Sequence, residues 1–457
     1  MNVIIVGGGN VGVTIARKLI SENHDVTVID NNHKVLKSLR MELDALILEG
    51  DGNTVDILKK AGIKKASLYL AVTNNDNINI ISCIMAKKLN PDVITVSKIQ
   101  NAYSYFNNDS LKHEDFSIDM MIDPKNLSIE KIMTLIEYSE AIEIVNYENG
   151  VVQLVGVKID EDFKYLNQPL KLIGETDEIF KTVRIVALYR NEILTIPKGD
   201  DLLLKNDKIY IIGKIGNIQK IMKTHFDQKS GYKNVVILGG SQIGKELAEK
   251  LAEKGKIVTI IEEDVKRCEE LSKELNKISI INGYGTDESV LNEVRVDKSC
   301  FVCLTPDDEY NMISAVSAKS YLASKTICMI HNIALFKFIN KMTAIDAVFS
   351  PNILTVGEIL AYCRKGNITS VSTFSEINAE TIDLTISEKL NILNTPLKNI
   401  KFPDGMIIGV IIRNDDIFIP TGDDEIIIND KLILFLLPAA VPEVEKFFSR
   451  KIYRRSR

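Results

Sequence analysis

The sequence predicts an α/β protein: a duplicated, Rossmann-like, doubly wound parallel sheet, each copy followed by a small α+β lobe. Three observations carry that expectation. An apolar strand feeds directly into Gly7-Gly8-Gly9-Asn10-Val11-Gly12, strand-like and helix-like stretches alternate after it, and the pattern returns 232 residues further on. The length of 457 residues alone suggests about three domains, and the repeat refines that number.

Val3-Ile4-Ile5-Val6 has the continuous apolar character of a strand buried on both faces, and it delivers a Gly-x-Gly-x-x-Gly turn to the start of a helix. Gly7 permits the tight turn, Gly9 lets backbone approach a pyrophosphate, and Gly12 lets helix pack on strand. The unpaired N–H groups of the helix start, around Gly7 to Val11, then face the anion. Asp30 closes the next apolar run, Val26-Thr27-Val28-Ile29, where a carboxylate can accept from both hydroxyls of an adenine-linked ribose. Strand, glycines, helix and acid in register point to a bound adenine nucleotide.

Strand-like runs at 3–6, 26–29, 45–48, 68–72 and 93–96 alternate with helical stretches near 11–21, 33–41, 54–61 and 77–89. Such alternation implies right-handed crossovers, with ligands at the carboxyl ends of the strands beside the switch point. The glycine turn, Asp30, Gly50-Asp51-Gly52 and Thr73-Asn74 should meet there. The second copy opens with Gly239-Gly240-Ser241-Gln242-Ile243-Gly244, and its acid is Glu262. Ala71-Val72-Thr73-Asn74-Asn75-Asp76 returns as Cys303-Leu304-Thr305-Pro306-Asp307-Asp308, and Ile118-Asp119 with Pro124 returns as Ile345-Asp346 with Pro351.

After about residue 140 the pattern shifts to short strands and turns. Ile196-Pro197-Lys198-Gly199-Asp200-Asp201 with Asn206-Asp207 mirrors Ile419-Pro420-Thr421-Gly422-Asp423-Asp424 with Asn429-Asp430. The expected domains are therefore 1–140 and 234–371, large, and 141–225 and 372–457, small, with a linker at 226–233.

A net charge of −6 argues against general nucleic-acid binding, and the basic cluster Arg450, Lys451, Arg454, Arg455 and Arg457 reads as a solvated tail. Met1-Asn2 leads straight into a strand and no apolar run reaches the ~18 residues of a spanning helix, so a cytoplasmic location is expected. Cys300 and Cys303 lie at odd spacing on one strand-like run, which suits small core residues and not a zinc or redox pair.

Dehydrogenases share the glycine fingerprint, so an NAD-dependent oxidoreductase is the competing function. None of His24, His33, His113, His225 and His331 sits where a substrate lobe would use it. Tyr321 and Lys325 have the Tyr-x-x-x-Lys spacing of short-chain dehydrogenases, but position 308 is Asp where those enzymes want serine, and Ser314 and Ser317 are too close. The acidic pairs Asp200-Asp201 and Asp423-Asp424 read as turns, with calcium binding as the alternative. No catalytic residue and no metal ligand is assigned.

On its glycine turn, Asp30, Gly50-Asp51-Gly52, Thr73-Asn74-Asn75-Asp76 and the duplicated Pro-x-Gly-Asp-Asp turn, the chain resembles the TrkA family, cytoplasmic regulatory subunits of bacterial Trk potassium uptake systems, over essentially its whole length. The resemblance implies RCK (KTN) nucleotide-binding domains with RCK C-terminal lobes. It also implies a homo-oligomer, a tetrameric ring of eight such units, peripheral to the inner face of the cell membrane beneath a membrane-embedded potassium transporter subunit. NAD(H), with ATP or ADP as the other ligands, would shift the shape of that ring. Cyclic di-AMP is a further candidate at the C-terminal lobes, and divalent ions are another. The first nucleotide site would comprise Gly7, Gly8, Gly9, Asn10, Val11, Gly12, Asp30, Asp51, Thr73, Asn74 and Lys98. Related sequences commonly carry arginine at the place of Lys98. The second would comprise Gly239, Gly240, Ser241, Gln242, Ile243, Gly244 and Glu262. There Ser241 crowds the pyrophosphate, and Tyr284 stands where Asp51 stands.

Overall fold

The computed structural model describes residues 1–102, 105, 112–138, 140–226, 232–339, 344–363, 368–374, 379–386, 390, 392–414 and 416–449. Two six-stranded parallel sheets and two five-stranded antiparallel sheets alternate along the chain. The first parallel sheet contains β1 (Asn2–Val6), β2 (Asp25–Asp30), β3 (Leu46–Glu49), β4 (Leu68–Ala71), β5 (Ile94–Lys98) and β6 (Met120–Ile122). Its order is β3-β2-β1-β4-β5-β6, so the direction of winding switches between β1 and β4. Helices α1 (Asn10–Ser21), α2 (His33–Glu42), α3 (Val55–Lys60) and α4 (Asp76–Leu89) make the crossovers, and α5 (Pro124–Glu137) follows β6.

The uninterrupted apolar run of β1 has a direct cause. Val3 and Ile5 enter one core with Val11, Ile15 and Leu19, whereas Ile4 and Val6 enter another with Leu58, Ile63 and Ile80. A strand covered by helices on both faces has no polar side, and so shows no alternation. The short sixth strands, β6 and its counterpart Ala347–Phe349, were not among the expected runs, because three residues carry too little periodicity to declare themselves.

The second parallel sheet, Asn234–Leu238, Ile257–Glu262, Ser279–Asn282, Ser299–Cys303, Lys325–Met329 and Ala347–Phe349, repeats the same order. Buried hydrogen bonds recur with it. Asn79 ties Thr73 to the carbonyl of Lys98, and Asn311 ties Thr305 to the carbonyl of Met329. Asp119 accepts from the Thr95 N–H and from Lys87, and Asp346 accepts from the Thr326 N–H and from Lys319.

By internal packing the chain divides into two compact units. One holds Met1–Ile129, Ile330–Ala334 and Phe349–Cys363; the other holds the remainder of the described chain from Glu130. In the first, Val356, Ile359 and Leu360 of the helix that follows the second sheet complete the core around β1 and α1. In the other, Lys325 of the second sheet, 2% exposed, donates from Nζ to the carbonyls of Leu135 (2.8 Å) in the last turn of α5, of Tyr138 (3.1 Å) just past it and of Ala141 (2.8 Å) at the start of the next strand. A lysine over the last carbonyls of a helix satisfies acceptors that the helix itself leaves unpaired. The helix Pro351–Cys363 of the second half of the sequence is thus built into the first unit.

The antiparallel sheet of the first lobe begins at Ala141 and that of the second at Ile368. Phe226, placed at the head of the linker, instead ends a π-helical turn and stacks on Phe163 at 5.1 Å, while 227–231 and the basic tail lie outside the described residues. The repeated lobe turns are explained by two buried aspartates. Asp207 accepts from Arg190 Nε and the Leu204 N–H, and Asp430 from Arg413 Nε and the Ile427 N–H. Tyr147, Val186 and Tyr210 of the first lobe pack with Val410, Ile433 and Phe435 of the second, and Tyr147 Oη meets Thr381 Oγ1 at 2.6 Å.

Candidate functional site

At the carboxyl ends of β1, β2, β3 and β4 a cleft of about 400 Å³ opens, lined by Gly7, Gly9, Asp30, Asp51, Thr73 and Asn74 among others. Six of the residues assigned from the sequence therefore meet in one cavity. The turn explains itself by what a Cβ would encounter. At Gly12 it would lie 1.9 Å from the Gly7 carbonyl oxygen, so helix and strand could not close. At Gly9 it would meet no protein atom within 4 Å. No protein packing demands a glycine at position 9, so the space it keeps belongs to the cleft, and a pyrophosphate at the helix start fits that space.

Asp30 is held before any ligand arrives. Oδ2 accepts from the Gly8 N–H at 2.7 Å and Oδ1 from the Asn32 N–H at 2.7 Å. Each carboxylate oxygen retains a further lone pair for a ribose hydroxyl. Asn31 donates from Nδ2 to Asp51 Oδ1 at 2.9 Å, and Asp30 and Asp51 both line the cleft. Thr73 is fixed by Asn79, and Asn74 is exposed at the rim. Lys98 stands beneath that rim, 4% exposed, with Nζ 2.9 Å from Asn74 Oδ1; burial pushes its ammonium pKa down, opposed by Asp76. Its charge meets the rim through Asn74. Sequence reasoning missed Asn31, Asn32, Val35 and Ile78 as lining residues. The Asn31-Asn32 pair directly after the acid was a signal; Val35 and Ile78 carried none.

The equivalent region of the second half keeps the frame and changes the lining. Glu262 Oε2 accepts from the Gly240 N–H at 2.6 Å and Oε1 from the Asp264 N–H at 3.0 Å, as Asp30 does in the first. Gly239 and Gly244 are retained, and a Cβ at Gly244 would lie 2.1 Å from the Gly239 carbonyl. Gln242 turns to Glu246, and Ile243 stands on the helix Gln242–Glu253. Ser241 replaces Gly9, and its Oγ is buried without a hydrogen-bond partner. Tyr284, 52% exposed, replaces Asp51, Pro306 replaces Asn74, and Met329 replaces Lys98.

Tyr321 caps the helix Asp308–Ser320, while Lys325 is committed to three carbonyls, so the pair is not a proton-transfer couple. Among the described residues no group of three or more His, Cys, Asp or Glu side chains could hold a metal ion. Asp201 and Asp424 accept instead from the N–H groups of Lys198 and Thr421, each at 2.6 Å. Cys300 and Cys303 are fully buried, and burial pushes the Cys300 thiol up to about 12 and raises that of Cys303 as well. No helix among the described residues is long and apolar enough to cross a membrane.

Comparison with known proteins agrees with this duplicated architecture. The TrkA-N domain model matches residues 3–124 and 235–351, and the TrkA-C domain model matches 154–225 and 382–449. The chain is 31% identical over 454 residues to the Trk system potassium uptake protein TrkA of Halomonas elongata, covering 98% of both chains. It is 29% identical to TrkA homolog 1 of Methanosarcina mazei, covering 98% of this chain and 100% of that one. Among solved structures, the GsuK channel bound to NAD aligns with TM-score 0.61 at 16% identity, covering 99% of this chain and 79% of that one. The GsuK RCK domain aligns with TM-score 0.60 at 15% identity, covering 98% and 95%.

Proposed function

This chain belongs to the TrkA family, and from that premise we propose that it is a regulatory subunit whose first cleft binds NAD(H), ATP or ADP and thereby gates a membrane potassium uptake transporter. The observation that carries the proposal is the first cleft, where an acid held by two backbone N–H groups stands beside a helix start kept clear by Gly9. A bound dinucleotide brings two anionic phosphates and two ribose diols. The N–H groups from Asn10 to Gly12 bind the phosphates, Asp30 takes the adenosine ribose, and Asp51, Thr73 and Asn74 close the rim, with Lys98 supporting Asn74. Asp30 repels a 2′-phosphate, and with no arginine beside it to compensate, NADP is disfavoured.

The family relation supports a homo-oligomeric ring at the inner face of the membrane. A ligand moves such a ring only through its difference in affinity for two states, and a tenfold preference is worth about 1.4 kcal/mol per site. The absence of a proton-transfer pair around Tyr321 and Lys325 supports a signal-reading role over an oxidoreductase. Calorimetric titration of the purified chain with NADH, NAD⁺, ATP and ADP, followed by co-purification with a Trk-type membrane subunit under each ligand, tests the proposal. Binding of one or more ligands that alters co-purification is expected. An absence of association under every ligand, or steady turnover of NADH with an electron acceptor, would overturn it.

A further inference from the structure

The second cleft carries two side chains that the first lacks, at positions fixed by the repeat. In the first half the helix α4 begins with Asn75 accepting from the Ile78 N–H, and Ile78 lines the open cleft opposite Gly52. In the second half Asp307 accepts from the Tyr310 N–H at 2.8 Å, so Tyr310 leaves the helix at the same point as Ile78. Its ring spans the gap, and its hydroxyl accepts from the Gly285 N–H at 2.7 Å. Gly285 is the counterpart of Gly52: a Cβ at either would strike the last apolar residue of the first strand, Leu238 or Val6. From the other side, Arg267 occupies the helix position of Val35, another residue lining the first cleft. It donates from Nε to the Gly240 carbonyl at 2.8 Å and from Nη1 to Glu270 at 2.9 Å.

We propose that Tyr310 and Arg267 hold the second cleft closed with the chain's own groups, so that each chain reads one nucleotide, in its first cleft, and the second domain is permanently self-occupied. The hydroxyl of Tyr310 takes a backbone N–H at the nucleoside end, where a ligand acceptor would otherwise dock, and the ring fills the space beneath it. Arg267 covers the glycine turn beside Glu262. Ser241 adds a side chain at the pyrophosphate end, and the acid, amide and amine of the first rim are Tyr284, Pro306 and Met329 here. This inference rests on the nucleotide-binding reading of the first cleft for its stoichiometry, but its geometry stands apart from that reading.

The test uses the full chain with ADP and NADH as probes in calorimetry. One site per chain is expected, weakened about a hundredfold in Asp30→Ala, with no second site left at the original affinity. A site that survives Asp30→Ala and is removed by Glu262→Ala would overturn the inference. In the Asp30→Ala background, Tyr310→Ile with Arg267→Val puts the first cleft's residues at these two positions alone, and recovery of one ADP site per chain is expected; no recovery overturns the role given to these two side chains. Tyr310→Phe keeps the ring and removes only the hydroxyl, which guards against misfolding. Hydrogen exchange of the peptide spanning 283–287 should then accelerate about tenfold at Gly285, the scale of one lost neutral hydrogen bond. Unchanged exchange would overturn closure by Tyr310. If no nucleotide binds any variant, the proposed function fails while the exchange measurement still decides whether the second cleft is closed.

Discussion

The two parallel-sheet domains share a frame and differ in what faces the cleft. Each strand order, each glycine where helix meets strand, each buried asparagine that ties two strand ends, and each acid that holds the turn is present twice. What diverges is the set of residues that line the cleft: Gly9 against Ser241, Asp51 against Tyr284, Asn74 against Pro306, Ile78 against Tyr310. A residue that closes a helix on a strand is constrained by atoms of its own chain, whereas a residue whose Cβ would point into open space is constrained only by a ligand. The pattern of divergence therefore separates scaffold from site without any bound molecule.

The largest expected effect breaks the comparison at its most asymmetric pair. Ile94 and Lys325 occupy the same register on the fifth strands, yet Ile94 is 44% exposed and Lys325 is buried under three carbonyl oxygens. Lys325→Met leaves those acceptors without the amine and should cost about 3 kcal/mol in urea unfolding, since each orphaned buried polar group costs roughly 1–3 kcal/mol. Ile94→Ala should stay within about 1 kcal/mol. Comparable losses at the two positions would show that the lysine is not the clamp described.

Next in size is the contrast between the two acids. Asp30→Ala should weaken NADH and ADP binding about a hundredfold, roughly 2.7 kcal/mol, the range of a hydrogen bond to a charged acceptor. Glu262→Ala should leave both affinities unchanged while loosening the second turn, because its carboxylate also holds two backbone N–H groups. Equal effects on binding would make the two clefts equivalent. A smaller change sharpens the same point: Gly9→Ser should cost about tenfold in affinity, roughly 1.4 kcal/mol, with no shift in thermal midpoint, since the new Cβ meets nothing in the protein. A lowered midpoint with unchanged affinity would place that glycine among the scaffold residues.

Much of this was legible in the sequence because it rests on local patterns. The continuous apolar run of β1 declared a two-sided strand, the glycine spacing declared the turn, and the offset of 232 residues declared the duplication. The lobe turns were equally readable, since Asp207 and Asp430 act within a few residues of their partners. What escaped was set by tertiary contact. Lys325 resembled half of a catalytic pair until its acceptors, almost two hundred residues upstream, came into view. Lys98 stood among the nucleotide-site residues, and only packing shows it 4% exposed and turned to Asn74. Tyr310 gave no sign at all, because its meaning depends on the position of Gly285 across the cleft.

The smallest expected effect distinguishes the two lobes by pH. The first lobe encloses His225 among Tyr165 and Phe180, with ring centroids at 5.6 and 5.2 Å, and its Nε2 lies 3.1 Å from Asp177 Oδ2. Burial pushes the histidine pKa below its ordinary value. Asp177 opposes that shift and Lys164 adds to it, while Asp177 is itself held low, chiefly by the Tyr165 hydroxyl. A histidine with a depressed folded-state pKa takes its proton more readily in the unfolded chain. Stability is therefore full above the ordinary value near 6.5 and declines as the pH falls below it. The second small lobe, 372–457, contains no histidine and should lack this term. Hydrogen exchange compared at pH 7.5 and 5.5, corrected for intrinsic rates, should show the first lobe loosening relative to the second. His225→Phe, which keeps an aromatic ring against Phe180, should abolish that difference. If both lobes loosen together, or the difference survives the substitution, the histidine is not its source.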